Sequence, residues 1–196
     1  MNKQSNWIIL VIILFGTAAL AYNTWYKKQL QQDTVTTNTD TGEQSLVSGP
    51  EKGQRRPDFT LKDMIGVPRE LSEWDGQTIV LNFWATWCRP CLQEIPMFVD
   101  VQRTMATNGV KFIGVAVDDR ATVETFLERT GIEINYPLLI GDDDAIPVAV
   151  DYGNDTGILP YTVIIDKHGR LSYHHFGAID RDELETVLNR LIKAKN

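Results

Sequence analysis

Hydrophobic and polar positions divide the chain into three stretches. An uncharged apolar run covers Trp7–Tyr22, a polar stretch almost free of large apolar residues leads to about Gly53, and short apolar segments then alternate with amphipathic ones. In this third stretch Thr78–Ala85 and Val110–Val117 are near-continuous apolar runs, the pattern of strands covered on both faces. Cys88–Met105 carries Leu92, Ile95, Phe98, Val99 and Gln102 at helical spacing, and Pro96 inside it predicts a kink. Ala121–Arg129 reads as a helix stopped by Gly131, and Tyr136-Pro137 opens a short strand, Leu138–Ile140. A helix is expected over Ile146–Tyr152. Tyr161–Ile165 and Leu171–Phe176 flank the turn signature Asp166-Lys-His-Gly-Arg170, which predicts an antiparallel pair. Asp180 caps a last helix to Lys193, with Leu184, Val187, Leu188 and Leu191 on one face. Phe59–Leu61 and the region of Arg69–Leu71 form a short hairpin around Gly66-Val-Pro68. These elements predict an α/β sandwich around a mixed sheet, with no internal repeat.

The apolar run changes the picture of where the chain works. Trp7 to Trp25 spans 19 residues without a charge, flanked by Lys3 and by Lys27-Lys28. That is close to the roughly 20 needed to cross a bilayer. Trp7 at one end, and Tyr22, Trp25 and Tyr26 at the other, suit the two interfaces. A cleavable signal with Ile8–Phe15 as its apolar region and Ala19-Leu20-Ala21 as its cleavage site is the competing reading. The aromatic and basic residues just beyond favour retention as an anchor. Both readings send the chain into the export route, and the lysines balance, so charge does not orient it. The expected organisation is a short tail over 1–6, an anchor over 7–25, a flexible polar linker over 26–53 and a folded domain over 54–196.

The net charge of −7 lies wholly beyond Gly53, where 15 basic face 22 acidic side chains. An acidic domain with no clustered basic face excludes nucleic acid as a partner. The two cysteines of the chain stand together in Trp87-Cys88-Arg89-Pro90-Cys91, directly after an apolar strand. Two thiols two residues apart at a helix start can close a small reversible disulfide, and the helix N-terminus stabilises the thiolate of the first. No further cysteines exist for a structural disulfide framework or a four-thiolate zinc site. His168, His174 and His175 are remote in sequence and read as surface residues. Asp142-Asp-Asp144 lacks the spacing and glycine of a calcium loop and reads as a solvated loop. No metal or other cofactor is expected.

Asn82-Phe-Trp-Ala-Thr-Trp-Cys-Arg-Pro-Cys-Leu-Gln-Glu-Ile-Pro96, followed far downstream by Gly157-Ile-Leu-Pro-Tyr-Thr-Val-Ile-Ile-Asp-Lys-His-Gly169, resembles the thioredoxin superfamily. More narrowly it is similar to the TlpA/ResA/CcmG-like group of membrane-anchored thiol-disulfide oxidoreductases, over about Arg56–Lys193. The resemblance implies a thioredoxin-like fold, with a mixed central sheet and helices on both faces, behind one N-terminal transmembrane helix.

It also implies roles. Cys88 becomes a partly exposed nucleophile that forms a mixed disulfide with substrate, and Cys91 a shielded thiol that resolves it. Pro160 matches a proline that is cis in this superfamily, presenting the backbone of Leu159 as a short edge for a substrate strand. Glu94 lies three residues after Cys91 on the same helix face and is expected to take its proton. Where thioredoxin has an aspartate six residues before its first cysteine, this chain has Asn82, which cannot titrate. Arg89 and Pro90 tune the couple in opposite directions. Trp84 and Trp87 are expected around the site, Trp87 in contact with substrate and Trp84 read equally well as simple core.

The function expected is reduction of disulfides in exported proteins by the Cys88–Cys91 couple, as in cytochrome c maturation or copper-centre assembly. The resemblance implies a membrane electron donor of the DsbD/CcdA type. It places the protein in the cytoplasmic membrane, single-pass, with its domain facing the periplasm. A disulfide oxidase or isomerase in the same compartment, or a copper-binding assembly protein, are the alternatives. The copper relatives use a wider cysteine spacing plus a histidine, and a peroxidase would carry a single cysteine in another setting.

Overall fold

The computed structural model describes residues 51–193. The expected anchor, its orientation and most of the linker lie outside the described residues, and among those no helix is long and apolar enough to cross a membrane.

Seven strands form one mixed sheet: β1 (Thr60–Asp63), β2 (Pro68–Glu70), β3 (Thr78–Trp84), β4 (Val110–Ala116), β5 (Leu138–Ile140), β6 (Tyr161–Ile165) and β7 (Leu171–Phe176). Their order is β2-β1-β5-β4-β3-β6-β7. β3, β4 and β5 run parallel, while β1 and β6 join this centre antiparallel from either side. All seven residues of β3 are buried, as its unbroken apolar run requires of a central strand. The helices are α1 (Arg89–Met105), α2 (Arg120–Thr130), α3 (Ala145–Asp151) and α4 (Arg181–Lys193). Their ends follow the local chemistry. Asp119 caps α2, Gly131 ends it in the left-handed region at φ 65°, and Asp180 Oδ1 accepts from the Glu183 N–H at 2.9 Å to cap α4. α1 is assigned unbroken through Pro96, whose ring leaves the Leu92 carbonyl without its helical donor.

Alternation along the strands builds two cores. Val80 and Trp84 pack with Ile95, Phe98 and Val101 of α1, Phe126 of α2 and Leu184 and Leu188 of α4. Ile79, Leu81 and Phe83 pack on the opposite face with Ala145 and Ala149 of α3 and with Tyr152. Helices therefore cover both faces of a thioredoxin-like α/β fold. Asn82, between Val80 and Trp84, must point into the α1 core, a buried polar side chain between two apolar ones.

The acidic loop forms a 3₁₀ turn, Asp142–Asp144, leading into α3. Gly141 before it sits against α3: a Cβ there would lie 2.7 Å from Ala145 Cα and 3.0 Å from its nitrogen, and closer still to its methyl. These are backbone atoms that no rotamer can clear. Gly141→Ala is expected to destabilise the domain by about 3 kcal/mol through displacement of α3, read as a lower denaturant midpoint at unchanged slope. A midpoint within error of the parent would show that α3 moves freely.

Candidate active site

The end of β3 delivers the chain to the cysteines. Asp118 Oδ2 accepts the Thr86 N–H at 2.7 Å, and the Cys88 N–H donates to the Ala85 carbonyl at 3.1 Å, so the turn is held from both sides. Cys88 is the N-cap of α1, with φ −84° and ψ 96°, and its Sγ accepts the Cys91 N–H at 3.3 Å. Sulfur here does what a serine or aspartate oxygen does at other helix starts. Pro90, in the first turn, brings no N–H of its own, which leaves the Cys91 amide as the donor aimed at that sulfur. A thiolate at Cys88 would meet this N–H and the positive end of a 17-residue helix.

The two cysteines form a disulfide with their Cα atoms 5.3 Å apart. Cys91 is 0% exposed and Cys88 only 5%, so the partly exposed nucleophile of the sequence reading is more shielded than expected while disulfide-bonded. Trp87 stands out at 69% exposure instead of packing around the pair, and Arg89 and Pro90 are exposed beside it. Trp84 is buried in the α1 core against Phe126, which removes it from any substrate surface.

The Leu159–Pro160 bond is cis. Leu159 is half-buried and packs on the cluster that contains both cysteines, while Ile158 beside it is exposed. Tyr161 pairs with Phe83 across the sheet, so Pro160 comes level with the end of β3. The Asn154 side chain fixes the approach to this bond through the Ile158 N–H and carbonyl.

Glu94 is buried, 4% exposed, one helical turn beyond Cys91. Its Oε1 accepts from Asn82 Nδ2 at 2.9 Å, and its Oε2 from the Ile179 N–H at 3.2 Å. Asn82 Nδ2 also donates to Thr162 Oγ1 at 3.0 Å. A carboxylate only accepts, which settles which way the Asn82 amide faces. Burial pushes the Glu94 carboxyl up to about 7, against the two hydrogen bonds that favour its charge. Burial and the Glu94 charge together push the neighbouring Tyr136 phenol up. The site therefore couples a disulfide to a buried carboxyl that can hold or release a proton near neutrality.

Sequence reasoning missed Thr162, Ile179 and Asp118, because each joins the site through a partner remote in the chain. It also placed the histidines too far out. His174 is half-buried with Nδ1 2.7 Å from Tyr161 Oη, and burial lowers its imidazole below the ordinary range. His175, on the other face, is held at both ring nitrogens. His168 is exposed. Among the described residues no group of three or more His, Cys, Asp or Glu side chains could hold a metal.

Residues 52–174 match the AhpC/TSA family. Over 193 residues the chain is 30% identical to the thiol-disulfide oxidoreductase ResA of Geobacillus kaustophilus HTA426, covering 97% of this chain and 99% of that protein. It is 30% identical to the thioredoxin-like protein YneN of Bacillus subtilis 168, over 96% of this chain and 98% of that one. Among solved structures, a thiol:disulfide interchange protein of the thioredoxin family from Chlorobium tepidum TLS superposes with a TM-score of 0.61 at 27% identity, covering 73% of this chain and 99% of that one.

Proposed function

From a chain that belongs to the AhpC/TSA family, and whose chemistry is that of the ResA-type thiol-disulfide oxidoreductases, we propose a membrane-tethered, extracytoplasmic reductant of disulfides in exported proteins. The observation that carries this reading is the joint placement of a nearly buried cysteine pair at a helix N-terminus and a carboxyl of raised pKa one turn along.

The reaction starts from the dithiol. The Cys88 thiolate attacks one sulfur of a substrate disulfide, forming a Cys88–substrate bond, and the displaced substrate sulfur leaves as a thiolate that takes a proton from water. Glu94, as carboxylate, removes the proton of the Cys91 thiol. The Cys91 thiolate then attacks Cys88 Sγ, closing the Cys88–Cys91 bond and releasing the second substrate sulfur, which takes up a proton in turn. Two electrons pass from enzyme to substrate, leaving two substrate thiols and an enzyme disulfide. Trp87 and the backbone of Leu159 at Pro160 flank the point of attack as the substrate surface, and Arg89 and Pro90 set the potential of the pair.

Return to the dithiol needs electrons from outside, since the compartment reached by export is oxidising. The resemblance to membrane-anchored relatives supports a donor of the DsbD/CcdA type. The uncharged run over residues 7–25 supports single-pass anchoring in the cytoplasmic membrane, with the domain facing the periplasm. Apocytochromes c awaiting haem and copper-centre assembly factors are the substrates this class suggests.

Cys91→Ser, expressed at full length, tests the assignment. With no second thiol the mixed disulfide persists, and exported proteins with paired cysteines are expected on Cys88 when the trapped adducts are separated under non-reducing conditions and identified. Adducts formed solely with an oxidase of the disulfide-forming pathway would overturn the direction of electron flow.

A further inference from the structure

Across the sheet, Gly114 of β4 pairs with Asn82 of β3, Asn82 with Thr162 of β6, and Thr162 with His175 of β7. Directly paired residues share a sheet face. His175 therefore stands on the face that carries Glu94's partners, two strands out from Asn82. The connection from β7 to α4 folds back over this row. Its Gly177, at φ 85°, donates its N–H to the Pro160 carbonyl at 2.8 Å, and its Ile179 donates to Glu94.

One peptide unit joins His175 to the buried carboxylate. Its carbonyl, of Ala178, lies 3.2 Å from His175 Nε2, and its amide, of Ile179, lies 3.2 Å from Glu94 Oε2. A carbonyl can only accept, so Nε2 carries the hydrogen. The other ring nitrogen, Nδ1, is 3.4 Å from Glu183 Oε1 of α4 and 3.5 Å from Tyr173 Oη of β7. Tyr173 in turn donates to Glu183. Burial, then this hydrogen bond and the Glu183 charge, push the Tyr173 phenol up to about 12, so it remains a donor, and the nearby Asp180 acts in the same direction. The ring thus stands between strand and helix on its Nδ1 side and donates to the loop from Nε2.

We propose that His175 is a positioning residue for Glu94, acting through the Ala178–Ile179 peptide: it fixes the amide against the carboxylate and strengthens that amide as a donor by polarising its carbonyl. Hydrogen bonds in a chain reinforce one another, and a donor on the carbonyl oxygen draws charge from the amide nitrogen. The two donors on Glu94 differ in how they are secured. Asn82 is built into a central strand, whereas Ile179 belongs to a short connection whose place depends on its anchors. His175 is the side chain that anchors it at the very peptide that matters. The groups facing Glu94 are Asn82 from β3, Ile179 from this loop and Tyr136 before β5; those facing His175 are Tyr173, Glu183 and the Ala178 carbonyl. The proposal rests on the reading of Glu94 as the base for Cys91.

The test is a titration of Glu94 itself. The full-length reduced protein, carrying carboxyl-13C glutamate, is followed by NMR from pH 4 to 9, with the Glu94 signal assigned by its loss in Glu94→Gln. His175→Leu is expected to raise the Glu94 midpoint by about half a pH unit, a ~3-fold fall in the carboxylate-to-acid ratio. The rate of mixed-disulfide resolution near pH 7 should fall about 2-fold with it. His175→Gln, whose amide can donate to the same carbonyl, should return the midpoint to within about 0.2 unit. An unmoved midpoint in His175→Leu overturns the proposal, and so does a His175→Gln midpoint displaced as far as that of His175→Leu. Should His175→Leu not fold, Glu183→Gln carries the test from the solvent side of the ring, and again an unmoved midpoint overturns it. A shifted midpoint combined with normal resolution in Glu94→Gln would leave this linkage standing and sink the base reading instead.

Discussion

A Cys88→Ser chain is expected to lose disulfide-reductase turnover by about 10⁴-fold or more, although it keeps a thiol three residues away. The reason is burial. Cys91 is 0% exposed, sits inside the first turn of α1 and is surrounded by the apolar α1 core. A thiol in such surroundings is out of reach of a protein disulfide. Cys88, by contrast, caps the helix and has the Cys91 N–H to stabilise its charge. Insulin-disulfide reduction measures the loss. Alkylation by iodoacetamide measures its cause: Cys91 in Cys88→Ser should react about 100-fold more slowly than Cys88 in Cys91→Ser. Turnover in Cys88→Ser above a hundredth of the parent's would mean that Cys91 attacks substrate directly, and the assignment of the two sulfurs would have to be exchanged.

Glu94→Gln carries the second large effect, and it has two separable readouts. On the proposed reading of Glu94 as the base, the parent is expected to resolve its mixed disulfide faster as pH rises through about 7, because only the carboxylate can accept the Cys91 proton. Glutamine removes that acceptor. Resolution near neutrality is expected to slow about 10²-fold, and the inflection near pH 7 should vanish from the stopped-flow profile. A profile that keeps its inflection would assign the proton to another group.

The stability readout runs the other way. The folded protein holds the Glu94 proton up to about pH 7, against the ordinary carboxyl value of 4.5, so the native state binds more protons than the unfolded chain between those limits. Stability attributable to this group is whole below about pH 4.5 and is lost as pH rises through 7, by about 3 kcal/mol in all. Glutamine cannot charge, and its side chain can keep the Ile179 N–H if the Asn82 amide turns over to accept from it. The oxidised Glu94→Gln protein should therefore gain on the parent between pH 5 and pH 8 in denaturant midpoint. An equal difference at both pH values would mean that the carboxyl is not held in its acid form by burial.

Much of the secondary structure was legible because it rests on neighbours in the chain. Apolar runs of strand length marked β3, β4 and β6. Gly131 and Asp180 marked where α2 stops and α4 starts, and the Asp166–Arg170 turn joined β6 to β7. The cysteine pair read as a redox couple at a helix start, and the Pro160 motif drew attention to the bond that the fold holds cis. His174 and His175 were placed too far out for a physical reason. Alternation tells which residues share a face, but not whether another element covers that face. His174 is half-buried beside Tyr161, and His175 meets the Ala178 carbonyl of the connection that follows β7.

By itself, then, the sequence determined a dithiol at a helix N-terminus, a carboxyl one turn behind it, and a strand pattern able to build the sheet around them. These depend on spacings of two to four residues, which backbone geometry converts directly into direction. What decides whether the carboxyl can serve the dithiol was not in those spacings. Asn82 meets Thr162 across 80 positions, and Ile179 reaches Glu94 across 85. Their meeting depends on the strand order β3-β6-β7 and on a loop that returns over the sheet. Tertiary structure alone removes Glu94 from water and supplies its two donors, and the balance between those opposed effects sets its proton affinity near neutrality.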